Sequence, residues 1–306
     1  MNEIDRLLSE GFITEDFLKE EVRCDYPVPS SMKKAWAIQL DLLVKLFEVC
    51  KKHNLRIWAC GGSMLGAVRH KGFIPWDDDS DVFMPREDHD KLLKLADKEF
   101  KAPYFLQSYL NDPTYPFPYA RIRNSNTTVE ENIYKKDSVT WNNGIFVDIF
   151  PLDGVDKINF KLRMKDKMLR FYRRILFNYP AKEKKINTKS SRLLHTIIKS
   201  HLFPVTSQSL IRHMHNMCKS KKCFDESEKV GLLLVSAYPL LKNIYSRVDW
   251  AETIWLPFEN IMMPVPKGYD NVLRVPFGEY MKFPPVDKRG GWHALEFDAE
   301  TPYSQK

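Results

Sequence analysis

Residues 72–85 read GFIPWDDDSDVFMP, with Asp77, Asp78, Asp79 and Asp81 inside five positions. Phe73, Ile74 and Trp76 precede them, and Val82 and Phe83 follow. Acidic runs normally lie in polar, solvated surroundings, whereas these flanks are residues of a buried strand. Whatever the fold, it must bring several negative charges to the edge of its core and hold them there. In an extended strand, residues i and i+2 share a face. Asp79 and Asp81 are therefore expected to project together, with Asp77 joining them, while Asp78 and Ser80 point away. Carboxylates this close repel unless something neutralises them. A hard divalent cation, Mg²⁺ or Mn²⁺, does so through several oxygen ligands. The alternative is a solvated acidic loop capping a helix from residue 86.

Two further features bear on that choice. Gly61, Gly62 and Ser63 lie at a turn before helix-forming residues, where backbone N–H groups and a helix N-terminus favour a phosphate. Asp148 stands inside the apolar run IFVDIF. A carboxylate there needs a metal, a proton or an arginine partner.

Around these motifs the chain reads as alternating elements. Residues 33–53 carry Ala37, Leu40, Val44 and Phe47 at helical spacing. Strands are expected at 55–60, 80–85, 118–131 and 143–154, and a helix at 86–100. Such an order describes an α+β core with a small mixed β-sheet flanked by helices. Residues 157–192 hold 13 Lys or Arg against two acids, Asp166 and Glu183. They read as a basic helical insertion, either a solvated face or a surface for anionic lipid or a phosphate-bearing acceptor. The Pro- and aromatic-rich 250–292 read as extended segments and ordered loops that pack back on the first half. The expected divisions are 1–32, an N-terminal extension; 33–156, the catalytic core; 157–249, the basic helical region; and 250–306, the C-terminal segment.

Composition excludes little beyond this. With 43% hydrophobic and 13% aromatic residues in 306, the chain can bury a large core. Its formal charge of +7 suits an anionic partner, but no nucleic-acid module is present. Five scattered cysteines make no disulfide framework. Cys218 and Cys223 with His213 and His215 fit no zinc spacing. The acidic N-terminus has no apolar segment of a signal peptide, and no stretch approaches the ~18 apolar residues of a membrane span. A cytoplasmic protein is expected, at the inner face of the membrane if the basic region docks there.

The order of a glycine-serine turn, Asp-x-Asp and a later aspartate resembles the nucleotidyltransferase fold. More narrowly, GGSMLGAVRHKGFIPWDDDSDVFMPREDHDKL resembles the signature of the LicD family, phosphotransferases of bacterial surface glycans related to fukutin-type ribitol-phosphate transferases. The likeness continues at ARIRNSNTT, GIFVDIFPLDGV, LPFENIMMPVPKGYDNVL and FGEYMKFPPVDKR. Ser63 stands where threonine is common in the family, and Ser80 where an aliphatic residue is usual.

The resemblance implies transfer of a phospho-alcohol, most familiarly phosphocholine, from a CDP-linked donor to a hydroxyl of a glycan or lipid-linked glycan, releasing CMP. It implies that Asp79 and Asp81, with Asp77, bind the metal, and that Asp148 is a further ligand or the base. Gly61, Gly62 and Ser63 would hold the diphosphate. Arg69, His70, Lys71, Arg121 and Arg123 are candidates to neutralise phosphate charge, Lys288 and Arg289 weaker ones. Trp58, Trp76, Tyr280 and Trp292 are candidates for an aromatic box around a quaternary ammonium, with core packing the alternative. Two other functions fit an Asp-x-Asp sequence: a glycosyltransferase holding a nucleotide-sugar metal, and a membrane-surface scaffold with an inactive site.

Overall fold

The computed structural model describes residues 2–131, 134, 139–178, 206–220, 222–235, 238–290 and 295–305. The longest helix, α2 (Ser30–Lys52), follows a short helix α1 (Glu3–Ser9) and the hairpin of β1 (Glu21–Arg23) and β2 (Tyr26–Val28). Trp36, Leu40, Leu43, Leu46 and Cys50 recur at helical spacing and are all buried. The helix stops where Asn54 takes a left-handed backbone, φ +51°.

Next come β3 (Trp58–Ala59), α3 (Gly61–Arg69), β4 (Asp81–Pro85), α4 (Arg86–Lys94) and α5 (Ala96–Glu99). The expected strand at 55–60 narrows to two residues, because only Trp58 and Ala59 reach a partner, antiparallel on β4. The expected helix at 86–100 is broken at Leu95. The stretch 118–131 is two strands, β6 (Ala120–Asn124) and β7 (Thr128–Glu131), after β5 (Tyr104–Gln107). Asn124 accounts for the break: its Oδ1 accepts from Asn126 N at 3.0 Å and its carbonyl from Thr127 Oγ1 at 2.8 Å, an Asx-type turn.

The centre of the fold is β8 (Phe146–Val155), ten residues long. It runs parallel to β4, with Asp81 opposite Asp148 and Pro85 opposite Leu152. It is antiparallel to β6, with Arg121 opposite Asp148. Val82, Phe83, Met84, Val147 and Ile149 are buried, as expected of central strands covered on both faces. Strand β9 (Lys229–Gly231) joins the far end of β8, and β10 (Ile244–Ser246) joins β9. The stretch 157–249 thus adds two strands to the sheet besides its helices.

Those helices are α6 (Phe160–Asn178) and the helix Ser207–Cys218. They enclose a second apolar cluster that includes Leu162, Leu169, Leu176, Ile211 and Met214. A buried network joins them to the main sheet. Arg86 donates twice to Asp153 on β8, Nε at 2.7 Å and Nη2 at 2.9 Å, and its Nη1 donates to His215 Nδ1 at 2.9 Å. With Nδ1 accepting, His215 Nε2 donates to Pro118 O at 2.8 Å, so the ring is neutral. The expected basic residues from 179 to 192 lie outside the described residues.

The C-terminal segment is not only extended. A hairpin of β11 (Thr253–Phe258) and β12 (Ile261–Pro266) leads into a helix, Tyr269–Phe277, whose last turn holds Pro276 and which ends at Gly278, φ +63°. Val272 and Leu273 bury its apolar side, and Phe258, Met263 and Val265 join the main core. Strand β13 (Leu295–Asp298) pairs with β7. The architecture is α+β, a nucleotidyltransferase-like core with a small mixed sheet flanked by helices. Among the described residues no helix is long and apolar enough to cross a membrane.

Candidate active site

The acidic run sits where three pieces of the core meet. Strand β4 begins at Asp81, so Asp77 and Asp79 lie in the loop before it rather than on the strand. Gln39 of α2 helps hold that loop: its Nε2 donates to Asp78 O at 3.2 Å and its Oε1 accepts from Ser80 Oγ at 2.7 Å. Ser80 is thereby turned away from the acids into the core, where it is fully buried. Asp81 N donates to Ser63 Oγ at 2.8 Å, and Cys60 N donates to Asp81 O at 2.9 Å. Both contacts tie the start of β4 to the start of α3.

The expectation that Asp78 points away from its neighbours is corrected. Asp77, Asp78 and Asp79 bring carboxylate oxygens within 4.8 Å of one another, the one such metal-capable group among the described residues. The loop does not follow strand alternation, so the i, i+2 rule does not govern it. Asp81 approaches from the strand. Burial, then Asp79, Asp148 and Asp77, push its carboxyl well above the usual carboxylate range. Its Oδ1 is shielded from solvent and accepts no hydrogen bond among the described residues. A buried carboxylate oxygen without a donor, beside three more carboxylates, is an arrangement that a cation completes.

The glycines fit the acids by shape. A Cβ at Gly62 would overlap Asp77 Oδ2, and one at Gly61 would stand 4.0 Å from Asp81 Oδ2. Gly61 also takes φ +48° to open α3. The first N–H groups of α3, including those of Gly62 and Ser63, have no helical partner and lie beside the aspartates. Cys60, just before them, is buried, and its thiol is pushed well up by burial and by Asp81, Asp79 and Asp148.

Asp148 has the arginine partner that sequence reasoning held open. Arg121 Nε donates to Asp148 Oδ1 at 2.6 Å, and Nη1 to Glu131 Oε1 at 2.9 Å. The guanidinium carbon lies 3.7 Å from the Phe146 ring centroid and 4.3 Å from that of Phe117. Burial opposes this charge, but Asp148, Tyr119 and Glu131 outweigh it and hold Arg121 above its ordinary pKa. Arg123, two residues on, also lies against Phe146. It is fully buried, donating to Gln107 Oε1 and, at 2.6 Å, to Gly144 O. Burial and then Arg121 lower it to about 10.

The basic residues after the turn face elsewhere. Arg69 Nη1 donates to Tyr280 O at 2.6 Å and Lys282 O at 3.3 Å. His70 stacks on Phe283 at 5.4 Å, and burial followed by Arg69 lowers it to about 4. Lys71 is exposed, in a left-handed backbone at φ +56°, and its carbonyl accepts from Glu259 N. Arg289 covers Trp76, 4.8 Å from its centroid, while donating to Pro284 O and Cys24 O. Lys288 is exposed.

The expected aromatic box does not assemble among the described residues. Trp58 packs in the core on Phe224 and Trp250, Tyr280 bonds Asp270, and the guanidinium of Arg289 lies over Trp76. Trp292 lies outside the described residues. His215 and Cys218 are buried.

Sequence reasoning missed Gln39 and Glu131. A glutamine between Ile38 and Leu40 on the buried side of α2 was the available signal. Glu131 had none, since its link to Arg121 depends on a non-local approach.

A mixed sheet that sets Asp81, at the head of β4, opposite Asp148 on the parallel β8, beside a glycine-opened helix, is consistent with the nucleotidyltransferase-like fold. Residues 54–216 match the family model described as LicD/FKTN/FKRP, nucleotidyltransferase domain, and the chain belongs to that family. It is 26% identical over 275 residues to the lipopolysaccharide cholinephosphotransferase LicD of Haemophilus influenzae, covering 87% of this chain and 97% of that protein. A stretch of 65 residues is 40% identical to an uncharacterized protein of Rickettsia prowazekii, over 21% of this chain and 24% of that one. One of 58 residues is 43% identical to an uncharacterized protein of Rickettsia typhi, over 19% of this chain and 18% of that one.

Proposed function

We propose that the chain catalyses metal-dependent transfer of a phospho-alcohol, phosphocholine foremost, from a CDP-linked donor to a hydroxyl of a cell-surface glycan, with release of CMP. The observation that carries this reading is the meeting of Asp77, Asp79, Asp81 and Asp148 at the turn of Gly61, Gly62 and Ser63. The activity named for the Haemophilus relative supports choline as the alcohol and lipopolysaccharide as the acceptor.

The donor set fits a hard divalent cation. It consists of carboxylate oxygens, it is crowded, and Asp81 Oδ1 accepts no hydrogen bond among the described residues. Asp77, Asp78 and Asp79, with Asp81 and Asp148 beside them, would hold Mg²⁺ or Mn²⁺. Bound there, the cation supplies charge neutralisation to the phosphates and to the oxygens being made and lost at phosphorus.

The chain's own residues do the rest. N–H groups at the start of α3 bind phosphate oxygens of the donor, aided by the helix end. Ser63 accepts from Asp81 N and donates its own hydroxyl proton to the same phosphates. Arg121 pairs with Asp148 through its Nε and fixes its orientation. The acceptor hydroxyl forms the new O–P bond as the P–O bond to CMP breaks, and CMP leaves with the electron pair. The hydroxyl proton passes to a carboxylate oxygen of the centre. In this reading 33–156 is the catalytic core, 157–249 the acceptor side and 250–306 a brace. The enzyme works in the cytoplasm, at the inner face of the membrane.

The test is incubation with CDP-choline, CDP-ethanolamine, CDP-glycerol or CDP-ribitol, Mg²⁺ and lipopolysaccharide acceptor, following CMP. Acceptor-dependent CMP from one of these is expected. No CMP from any of them, with turnover of a nucleotide sugar instead, overturns the reading in favour of a glycosyltransferase.

A further inference from the structure

Helix α6 has two apolar faces, and among the described residues only one is covered. Leu162, Leu169 and Leu176 turn inward and are buried in the second cluster. On the opposite side Phe160 is 75% exposed, Met164 39%, Met168 42% and Phe171 52%. At 3.6 residues per turn these four fall within about 80° of arc and along about 16 Å of helix. Met164 and Met168 also line a groove of about 380 Å³ with Phe160, Lys161, Lys165 and Met217. An apolar stripe this continuous is unusual on a free surface.

Its borders are basic on both sides. Lys161 and Lys165 follow the stripe along one edge; Arg163, Lys167 and Arg174 follow it along the other. The one acid on the helix, Asp166, is engaged with Arg170 at 2.8 Å. Phenylalanine and methionine between two rows of cations is the pattern of a helix lying in the boundary of an anionic bilayer, apolar side chains in the acyl region and cations at the headgroups.

We infer that α6 is a membrane-docking helix that binds the surface of a bilayer rich in anionic lipid. The charge pattern selects this occupant over a second copy of the chain, whose equivalent face would set the same cations against one another. The helix is well tied to the body. Arg173 Nη1 donates to Leu234 O at 3.0 Å, and Arg170 Nη2 to Tyr238 O at 2.5 Å. The inference stands on the helix alone and does not depend on what the acidic centre transfers.

The experiment is co-sedimentation of the full chain with vesicles of phosphatidylcholine alone and with about 30% phosphatidylglycerol, at two salt concentrations. Binding is expected to the anionic vesicles, weakening as salt rises. Lys161→Glu with Lys165→Glu is expected to lower the partition coefficient at least tenfold, since each cation near the surface contributes about fivefold. Met164→Gln with Met168→Gln is expected to lower it similarly. All four positions are at least partly exposed, so unchanged circular dichroism and melting will show the variants folded. Binding by the variants equal to the unaltered chain, or none to anionic vesicles, overturns the proposal. So does a lipid-free dimer that the methionine pair abolishes, because a second copy then covers the stripe.

Discussion

Asp81→Asn separates the cost of the acidic centre from its use. Adjacent strands lie about 4.8 Å apart, so carboxylates at paired positions stand at roughly that distance. Two unit charges there repel by about 3 kcal/mol at an effective dielectric near 20. Asp81 has one such neighbour across the strands, Asp148; Asp77 and Asp79 add to the repulsion and the guanidinium of Arg121 offsets part of it, so without a cation its net cost is about 2–3 kcal/mol. For 306 residues the unfolding entropy makes 1 kcal/mol worth about 1.6 °C. The metal-free variant should therefore melt about 3–5 °C above the unaltered protein. Mg²⁺ at about 100 times its Kd should raise the unaltered protein by about 2.7 kcal/mol and the variant far less. The pH dependence has a definite sign. Asp81 binds its proton more tightly folded than unfolded, so metal-free stability falls as pH rises from near 4, the unfolded value, toward the raised folded one. The variant should show a flatter profile. Scanning calorimetry with and without Mg²⁺, across pH, is the assay. A metal-free variant less stable than the unaltered protein, or equal stabilisation of both by Mg²⁺, would refute the reasoning.

Three other outcomes are expected. Gly62→Ala sets a methyl against Asp77 Oδ2; transfer should fall at least tenfold with a melting change under about 1 kcal/mol, by steady-state kinetics and calorimetry. Arg121→Met leaves Asp148 and Glu131 without their shared cation, and denaturant unfolding should show a loss of about 3–5 kcal/mol. His70, with its folded pKa lowered to about 4, should stay neutral through pH 5–8 in NMR titration. Its contribution to stability is full above its unfolded value near 6.5 and lost as pH falls toward 4, so His70→Phe should flatten that part of the melting profile.

What sequence revealed depended on how local each constraint was. Helix α2 was legible because its apolar spacing persists for six turns, and β4 and β8 because uninterrupted apolar runs bounded by turn residues read as central strands. The gathering of Asp81 with Asp148 was an expectation carried by the family resemblance, and the parallel register of β4 on β8 sets the two opposite one another. The pairing of Asp148 with Arg121 did not: it is set by β6 lying antiparallel on β8, a register no local pattern announces. Asp78 was misread because strand alternation was extended into a loop whose path Gln39 helps to set. The helix Tyr269–Phe277 was hidden by the prolines around it, although Pro276 lies at its end, where the disruption is least. Of the aromatic-box candidates, Trp58 takes the alternative of core packing, since tryptophans and tyrosines pack cores far more often than they cage cations.

The guanidinium of Arg69 on the carbonyls of Tyr280 and Lys282, and that of Arg289 on Cys24 O, carry a temporal consequence. Helix α3 opens at the acidic centre, yet its far end is held by residues more than 200 positions downstream. A chain emerging from the ribosome has all four aspartates in hand long before that clasp is synthesised. The nascent protein thus carries its acids before residues 280–289 arrive to hold the far end of α3.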